Sequence, residues 1–369
     1  MSMTQTSRRP VPRLAGSGGR QRQRLGEVLG LAVAVAVGWV AIVLMAGRAT
    51  AAGPAAAAPP SAGIGAPGSL SPMGGGAQGA PDHAGAAAPA AASDAYRKEI
   101  ESWRADREAG LRNPGGWLSV VGLFWLDEGE NRFGSGPGNR VALPAGGGPG
   151  VAGTLVRHGD DVTVRAEADA GVTSGGKPVT EMSLAPDAQG KPVILDLGTV
   201  SFFVIKRGDR LGVRVKDRQS PALASFRGVE SFPLDPSWRV AARFEAHGKP
   251  ETIPVTNVLG MTDQEPSPGA VTFERRGRTY RLDALQGDDG GLFLVFGDQT
   301  NGRETYGGGR FLDTQPPRDG TVVVDFNKAY NPPCAFTAFA TCPLPPPHNR
   351  LALAVGAGEK KYAGGPEHH

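Results

Sequence analysis

Cysteine is almost missing from this 369-residue chain: Cys334 and Cys342 are the only two. That excludes a disulfide-dense scaffold and any four-cysteine zinc site. Catalytic signatures are missing too. No H-E-x-x-H, G-x-S-x-G or P-loop motif occurs, so the sequence supports neither zincin, α/β-hydrolase nor P-loop chemistry. Ser174-Gly-Gly-Lys177 formally fits S-x-x-K but sits in a Gly-rich loop. His158 and His247 each adjoin a glycine at an apparent strand end, where loop roles are expected. No internal repeat of fixed period is present.

A net basic excess is lacking everywhere except the N-terminus. Residues 1–48 hold seven arginines against Glu27, a net of +6, whereas the whole chain carries +3. Everything beyond Arg48 therefore sums to −3, and no basic patch argues for nucleic acid. Six of the arginines precede an apolar run over 28–46 and only Arg48 follows it, an asymmetry expected to leave the N-terminus in the cytoplasm and the remainder outside. Residues 1–27 thus read as a basic cytoplasmic leader and 28–46 as a single-pass membrane anchor. Ala49-Thr50-Ala51 resembles a small-residue cleavage site, so a cleaved signal segment and a secreted product are the alternative. Residues 47–93 are Ala, Pro, Gly and Ser with almost no charge, a composition expected to stay disordered and act as a tether.

Asp94 onward changes character. Ser93 or Asp94 can cap a helix in which Tyr96, Ile100 and Trp103 recur at helical spacing. Asn113-Pro114-Gly115-Gly116 stops it. Short β-branched and aromatic runs follow, separated by Gly, Pro and Asp: WLSVVGLFWL, GTLVRH, DVTVRAE, VSFFVIKRG, RLGVRVKD, WRVAARFEAH, AVTFERRG, RTYRLDAL, GLFLVFGD, TVVVDF and LALAVGAG. This pattern predicts a mostly β fold of sandwich or barrel type. A stretch without clear period, Arg218 to Pro236, divides it into helix plus N-terminal β lobe and seam (94–235) and a C-terminal β lobe (236–362), with a tail at 363–369.

Polar residues gather at strand ends in the C-terminal lobe. Asp325 and Asn327 bracket Phe326 and so share a face by period-2 alternation. Tyr330, Asn331 and Pro332-Pro333 make a rigid turn presenting Cys334, and Pro343 and Pro345 to Pro347 lead stiffly to His348. Asp298, Thr300, Arg303, Tyr306 and Arg310 can close the site from the preceding loop. Such preorganisation suits a small polar or anionic ligand, or a cell-envelope component. Arg303 and Arg310 would meet its negative charge, Asp325, Asn327 and Asn331 would supply directional hydrogen bonds, and Tyr306 or Tyr330 a stacking face. The competing account is that these side chains only tie loops together. An enzyme built on Asp298, Asp325, Cys334 and His348, and a purely structural envelope module, are further alternatives. No cofactor is expected. Glu359 and Lys360 read as a solvated pair. Cys334 and Cys342 read most simply as a disulfide in an oxidising compartment. A metal site with His348 (C-x7-C-x5-H, no common zinc spacing) and buried thiols are the other readings.

Two resemblances bear on this. Gly129 to Gly134, Asn139 to Pro144 and LDLGTVSFFVI loosely resemble the strand pattern of forkhead-associated domains. Ser135 stands where those domains carry a phosphothreonine-binding Arg, and no Ser-x-x-His follows. The likeness therefore implies a sandwich and not phosphopeptide binding. More specifically, F-x-D-x-T-x-G at Phe296 to Gly302, T-Y-G-x-G-R-F at Thr305 to Phe311, DFNKAYNPPCAF and CPLPPPHN resemble bacterial domain of unknown function family 1684. That resemblance extends over the ectodomain, is strongest from about Trp238, and implies no activity.

Overall fold

A computed structural model of the chain describes residues 92–366. The expected leader, the anchor over 28–46 and nearly all of the tether lie outside the described residues. Within them, no helix is long and apolar enough to cross a membrane.

Helix α1 (Asp94–Arg112) starts where the capping chemistry predicts, with Ser93 Oγ accepting from the Tyr96 amide at 3.3 Å. Asp94 in its first turn and Arg112 in its last complement the helix dipole. Tyr96, Ile100, Trp103, Arg107 and Leu111 repeat every three or four residues, so they form one stripe. Ile100 and Leu111 are buried along it.

The chain then becomes β. Strands β1 (Val120–Trp125), β2 (Gly129–Gly134), β3 (Val141–Ala142), β4 (Gly153–His158) and β5 (Asp161–Ala166) come first. Next are β6 (Thr173–Ser174), β7 (Lys177–Pro178), β8 (Glu181–Ser183), β9 (Leu195–Leu197), β10 (Val200–Arg207) and β11 (Arg210–Asp217). They form two sheets, ordered β1-β11-β10-β9-β6-β7 and β3-β2-β4-β5-β8. The inward side chains of both sheets, among them Phe133, Leu155, Val164, Phe202, Val204 and Val213, share one apolar core. Phe133 and Phe202 meet across it with ring centroids 5.2 Å apart. The alternation read in the sequence thus produces a sandwich.

The expected seam holds a short helix, α2 (Pro221–Ser225), before β12 (Arg239–Thr256), β13 (Thr262–Arg275), β14 (Arg278–Gln286), β15 (Leu292–Phe296), β16 (Arg310–Asp313) and β17 (Thr321–Asp325). These make one antiparallel sheet ordered β16-β15-β14-β13-β12-β17. The expected run WRVAARFEAH continues to Thr256 as the single β12, which bends at a register shift between Ala246 and Glu251. Trp238, Phe273 and Phe296 surround Phe326 in its core, with ring centroids 5.8, 5.5 and 5.4 Å from that ring.

Helix α1 packs Leu111 into a cluster with Leu118 and Phe226 of the 94–235 segment and with Val295, Phe311, Cys334 and Phe336 of the C-terminal lobe. One expectation is corrected. LALAVGAG, expected as a strand, belongs to no sheet. It does bury alternate residues, Leu351, Leu353, Val355 and Ala357. Among the described residues its backbone bonds to other backbone only at its ends, Leu351 and Leu353 to Gly297 and Gln299 and Gly358 to Phe232, so its period-2 pattern reports a one-sided extended segment and not a full strand.

Candidate functional site

The polar cluster of the C-terminal lobe resolves into two buried networks, and the molecule itself satisfies both. The first centres on Arg310, whose side chain is 0% exposed, as is that of Asp298. Its Nη2 donates to Asp298 Oδ2 at 2.8 Å and to the Val355 carbonyl at 2.8 Å. Its Nη1 donates to the carbonyls of Ala357 and Glu359. In an extended chain the carbonyls of residues i, i+2 and i+4 point the same way, so the guanidinium stands in for the missing neighbouring strand. Gly358, at φ +79°, leaves room for this segment against Ala329 and Phe326, where a Cβ would collide with backbone. Asp298 Oδ1 accepts from the Thr300 amide at 2.8 Å, the Thr300 hydroxyl at 2.6 Å and the Val355 amide at 3.2 Å. Burial lowers the Arg310 pKa from its usual value, and Asp298 opposes that shift.

The second network receives α1. Tyr96 Oη donates to the Asp325 carboxylate, 2.9 Å from both oxygens. Asn327 is 0% exposed; its Nδ2 donates to Tyr96 Oη at 3.1 Å and to the Asp235 carbonyl at 2.9 Å. One helical face further on, Arg107 Nε pairs with Glu359 at 3.0 Å while its Nη2 donates to the Asn331 carbonyl at 3.0 Å. The Asn331 amide in turn donates to Glu359 Oε2 at 2.7 Å. Tyr330 carries the Arg107 guanidinium 4.8 Å above its ring and Trp103 6.4 Å away, and its hydroxyl donates to Asp313 at 2.8 Å. Burial, then Asp313, pushes the Tyr330 pKa well above the ordinary phenol value.

The structure therefore brings Asp325, Asn327, Tyr330 and Asn331 to one surface, but helix α1 covers it. Asp298, Thr300 and Arg310 meet inside the lobe, away from solvent. Tyr306 is buried in the cluster with the cysteines, and Arg303 alone of the nine is exposed, its guanidinium on the Gln299 carbonyl at 2.8 Å. Arg310 meets the negative charge of Asp298 instead of a ligand's. Glu359, read as solvated, is 2% exposed and ion-paired to Arg107. That role was illegible because its partner lies 252 positions away.

Cys334 and Cys342 are adjacent buried thiols and not a disulfide. The Cys334 amide donates to Cys342 Sγ at 3.1 Å and the Cys342 amide to Cys334 Sγ at 3.4 Å. Among the described residues no three His, Cys, Asp or Glu side chains gather as a metal site would need. His348 is not with the cysteines: it is exposed and lies 3.1 Å from Asp283.

A concave surface does exist on this lobe, at a place the sequence reading passed over. A groove of about 560 Å³ runs between the start of β14 and the segment after His348, lined by Arg278, Arg281, His348 and Arg350 with Tyr280 and Leu351. Asn349 fixes its floor: its amide group donates to the Asp283 and Val295 carbonyls at 2.9 and 2.8 Å and accepts from the Asp283 amide at 2.7 Å. Arg281 is held by Glu245 and Asp283, each at 3.1 Å. Neither Arg278 nor Arg350 has a carboxylate partner among the described residues. The sequence carried no signal for it: Arg278 and Arg281 are three residues apart on one strand and so alternate to opposite faces.

No curated protein matches the chain. The chain is 34% identical to an uncharacterized protein of Haloarcula marismortui solved by solution NMR, over 37% of this chain and 78% of that one, with a TM-score of 0.32. A forkhead-associated domain, from a study of phosphothreonine-dependent interactions, aligns at 20% identity over 26% of this chain and 95% of that one, with a TM-score of 0.19. Residues 224–360 match the family described as "Protein of unknown function (DUF1684)". That span begins inside the seam, at the end of α2, and takes in the whole C-terminal sheet, the Arg310–Asp298 network, the sheet side of the second network and the groove, while α1 and the sandwich lie outside it. Residues 224–360 thus form a DUF1684 domain, a family of unknown function.

Proposed function

We propose that the C-terminal domain binds a small anionic ligand, a carboxylate or phosphate compound, in the groove lined by Arg278, Arg281, His348 and Arg350. The observation that carries this reading is that Arg278 and Arg350 face one hollow with no carboxylate assigned to either. Guanidinium forks match carboxylate and phosphate oxygens in pairs. The hollow's volume, about 560 Å³, falls in the range of small-molecule sites. Tyr280 and Leu351 supply an apolar wall, and Asn349 holds the two sides in register. Asp298, Thr300 and Arg310 support the groove indirectly by locking the 351–359 segment, and Asp325, Asn327, Tyr330 and Asn331 hold α1 to the sheet.

The basic leader and the apolar run over 28–46 support an anchored protein with this groove outside the membrane. A cell-envelope anion is then the natural class of ligand. Fractionation of the full chain, with protease accessibility of α1 from the outside, tests that placement.

Binding is tested by thermal shift and calorimetry with inorganic phosphate and with citrate, at ionic strength matched with chloride. The expected result is a saturable effect lost in Arg278→Ala and Arg350→Ala and kept in Arg303→Ala, whose side chain lies elsewhere. Equal responses to chloride, or full retention in both groove variants, would refute the site.

A further inference from the structure

We propose that Cys334 and Cys342 are a peroxide-reactive dithiol, with Arg214 as the positioning cation that holds negative charge on sulfur. Nothing in this inference depends on the groove.

Arg214 is the anomaly that leads to it. It lies on β11, is 4% exposed, and reaches one hydrogen-bond partner, Thr341 Oγ1 at 3.5 Å, with its guanidinium 5.0 Å from the Trp117 ring centroid. Its Nε has no partner, and no carboxylate lies within ion-pair distance of it among the described residues. Asp187, the nearby carboxylate that opposes its burial, is already held by both Nη atoms of Arg207 at 3.0 and 2.8 Å. Lys216, two residues along the same strand face, adds another cation. Glu265 senses Arg207, from the opposite lobe. An isolated buried guanidinium is strongly disfavoured. The remaining groups that can become anionic beside Arg214 are the two thiols, one residue and seven residues from Thr341.

The local geometry suits a thiolate. Each sulfur receives the backbone N–H of the other cysteine, at 3.1 and 3.4 Å. Pro332-Pro333 open the turn Pro333–Ala335 that carries Cys334, so this arrangement is held at low entropic cost. The hydrogen bond from Cys342 draws the Cys334 pKa down, with Arg214 acting in the same direction. Burial pushes Cys342 up. Cys334, presented on the proline-opened turn, is assigned as the nucleophile and Cys342 as the proton holder.

Both thiols are 3% exposed, so only a small neutral oxidant such as hydrogen peroxide is a candidate. Cys334 thiolate attacks one peroxide oxygen; the O–O bond breaks, giving Cys334 sulfenic acid and hydroxide. The Cys342 sulfur then attacks Cys334 sulfur, the S–O bond breaks, and the Cys342 proton leaves with that oxygen as water. Overall, two thiols and one peroxide yield one disulfide and two waters.

The reduced full-length chain is treated with stoichiometric hydrogen peroxide, quenched, alkylated under denaturing conditions and weighed. An internal disulfide formed with the fold intact is the expected product. Cys342→Ser should accumulate a dimedone-trapped sulfenic acid on Cys334, and Cys334→Ser should not do so on Cys342. Arg214→Met should slow peroxide consumption about tenfold at neutral pH, the effect of one pKa unit on the thiolate fraction. Arg214→Lys, keeping the charge, should restore most of the rate. Reaction only after unfolding, stepwise over-oxidation without a disulfide, or an Arg214→Met rate equal to wild type in a protein with unchanged circular dichroism would overturn the assignment. If Arg214→Met does not fold, the asymmetry between the two serine variants decides alone.

Discussion

Replacing Arg310 by Met should be among the most damaging single changes in the C-terminal domain. The side chains have similar length and apolar stems, so the perturbation is chiefly loss of the guanidinium. It leaves the Asp298 carboxylate, whose side chain is 0% exposed, without its cation. Removing one partner of a buried pair costs about 3–5 kcal/mol. The carbonyls of Val355, Ala357 and Glu359 also lose a charged donor, nominally about 1.5–3 kcal/mol each. These losses do not add, because the released segment can swing out and hydrate. A total of about 3–5 kcal/mol is therefore expected, against a typical domain stability of about 5–15 kcal/mol. Urea unfolding followed by tryptophan fluorescence reports it, since Trp238 is buried in this core. With a slope of about 1–3 kcal/mol per molar urea, the midpoint should fall by about 2 M. Asp298→Asn added to Arg310→Met should recover at least about 1 kcal/mol, because it removes the stranded charge. A loss below about 1 kcal/mol, or no recovery in the double variant, would refute the view that Arg310 substitutes for a strand.

Tyr96→Phe should destabilise the protein by about 1–2 kcal/mol, a little below the usual value for a bond to a charged acceptor because the site is half-buried. Faster tryptic cleavage at Arg97 or Arg104 should accompany it, and unchanged cleavage would count against the docking role. Lys216 is pushed down to about 8, by burial first and by Arg214 second. The unfolded chain therefore binds more protons between about pH 8 and 10.5, so stability should rise with pH across that window. The gain is at most about 3 kcal/mol. Lys216→Met should be more stable than wild type at pH 7 and lose this rise, as paired urea titrations at pH 7 and pH 9.5 would register; parallel curves would exclude it.

Much of the architecture was legible in the sequence because its causes are local. Ser93 before an i, i+4, i+7 stripe sets where α1 begins, and Gly, Pro and Asp between alternating runs make the chain mostly β. The long motifs from Phe296 to Asn349 marked the DUF1684 domain. Other features were partly legible and misattributed. LALAVGAG alternates because one face is buried, yet alternation carries no information about whether a neighbouring strand runs along its whole length. Cys334 and Cys342 are close in sequence and in space, but spacing does not determine their oxidation state.

What the tertiary structure decided is who meets whom. Asp325 and Asn327 could be read as polar residues sharing a face; that Tyr96, more than two hundred positions earlier, would occupy that face could not. Glu359 looked like any exposed acid until Arg107 was brought over it. Arg278 and Arg350 stand 72 positions apart and become neighbours only because Asn349 ties the last segment to β14 and β15. A charged side chain's role depends on its partner and on how much water is left between them, and both are properties of the folded chain. Periodicity and turn chemistry act over a few residues, so the sequence alone could establish the elements of this protein but not the pairing of its charges.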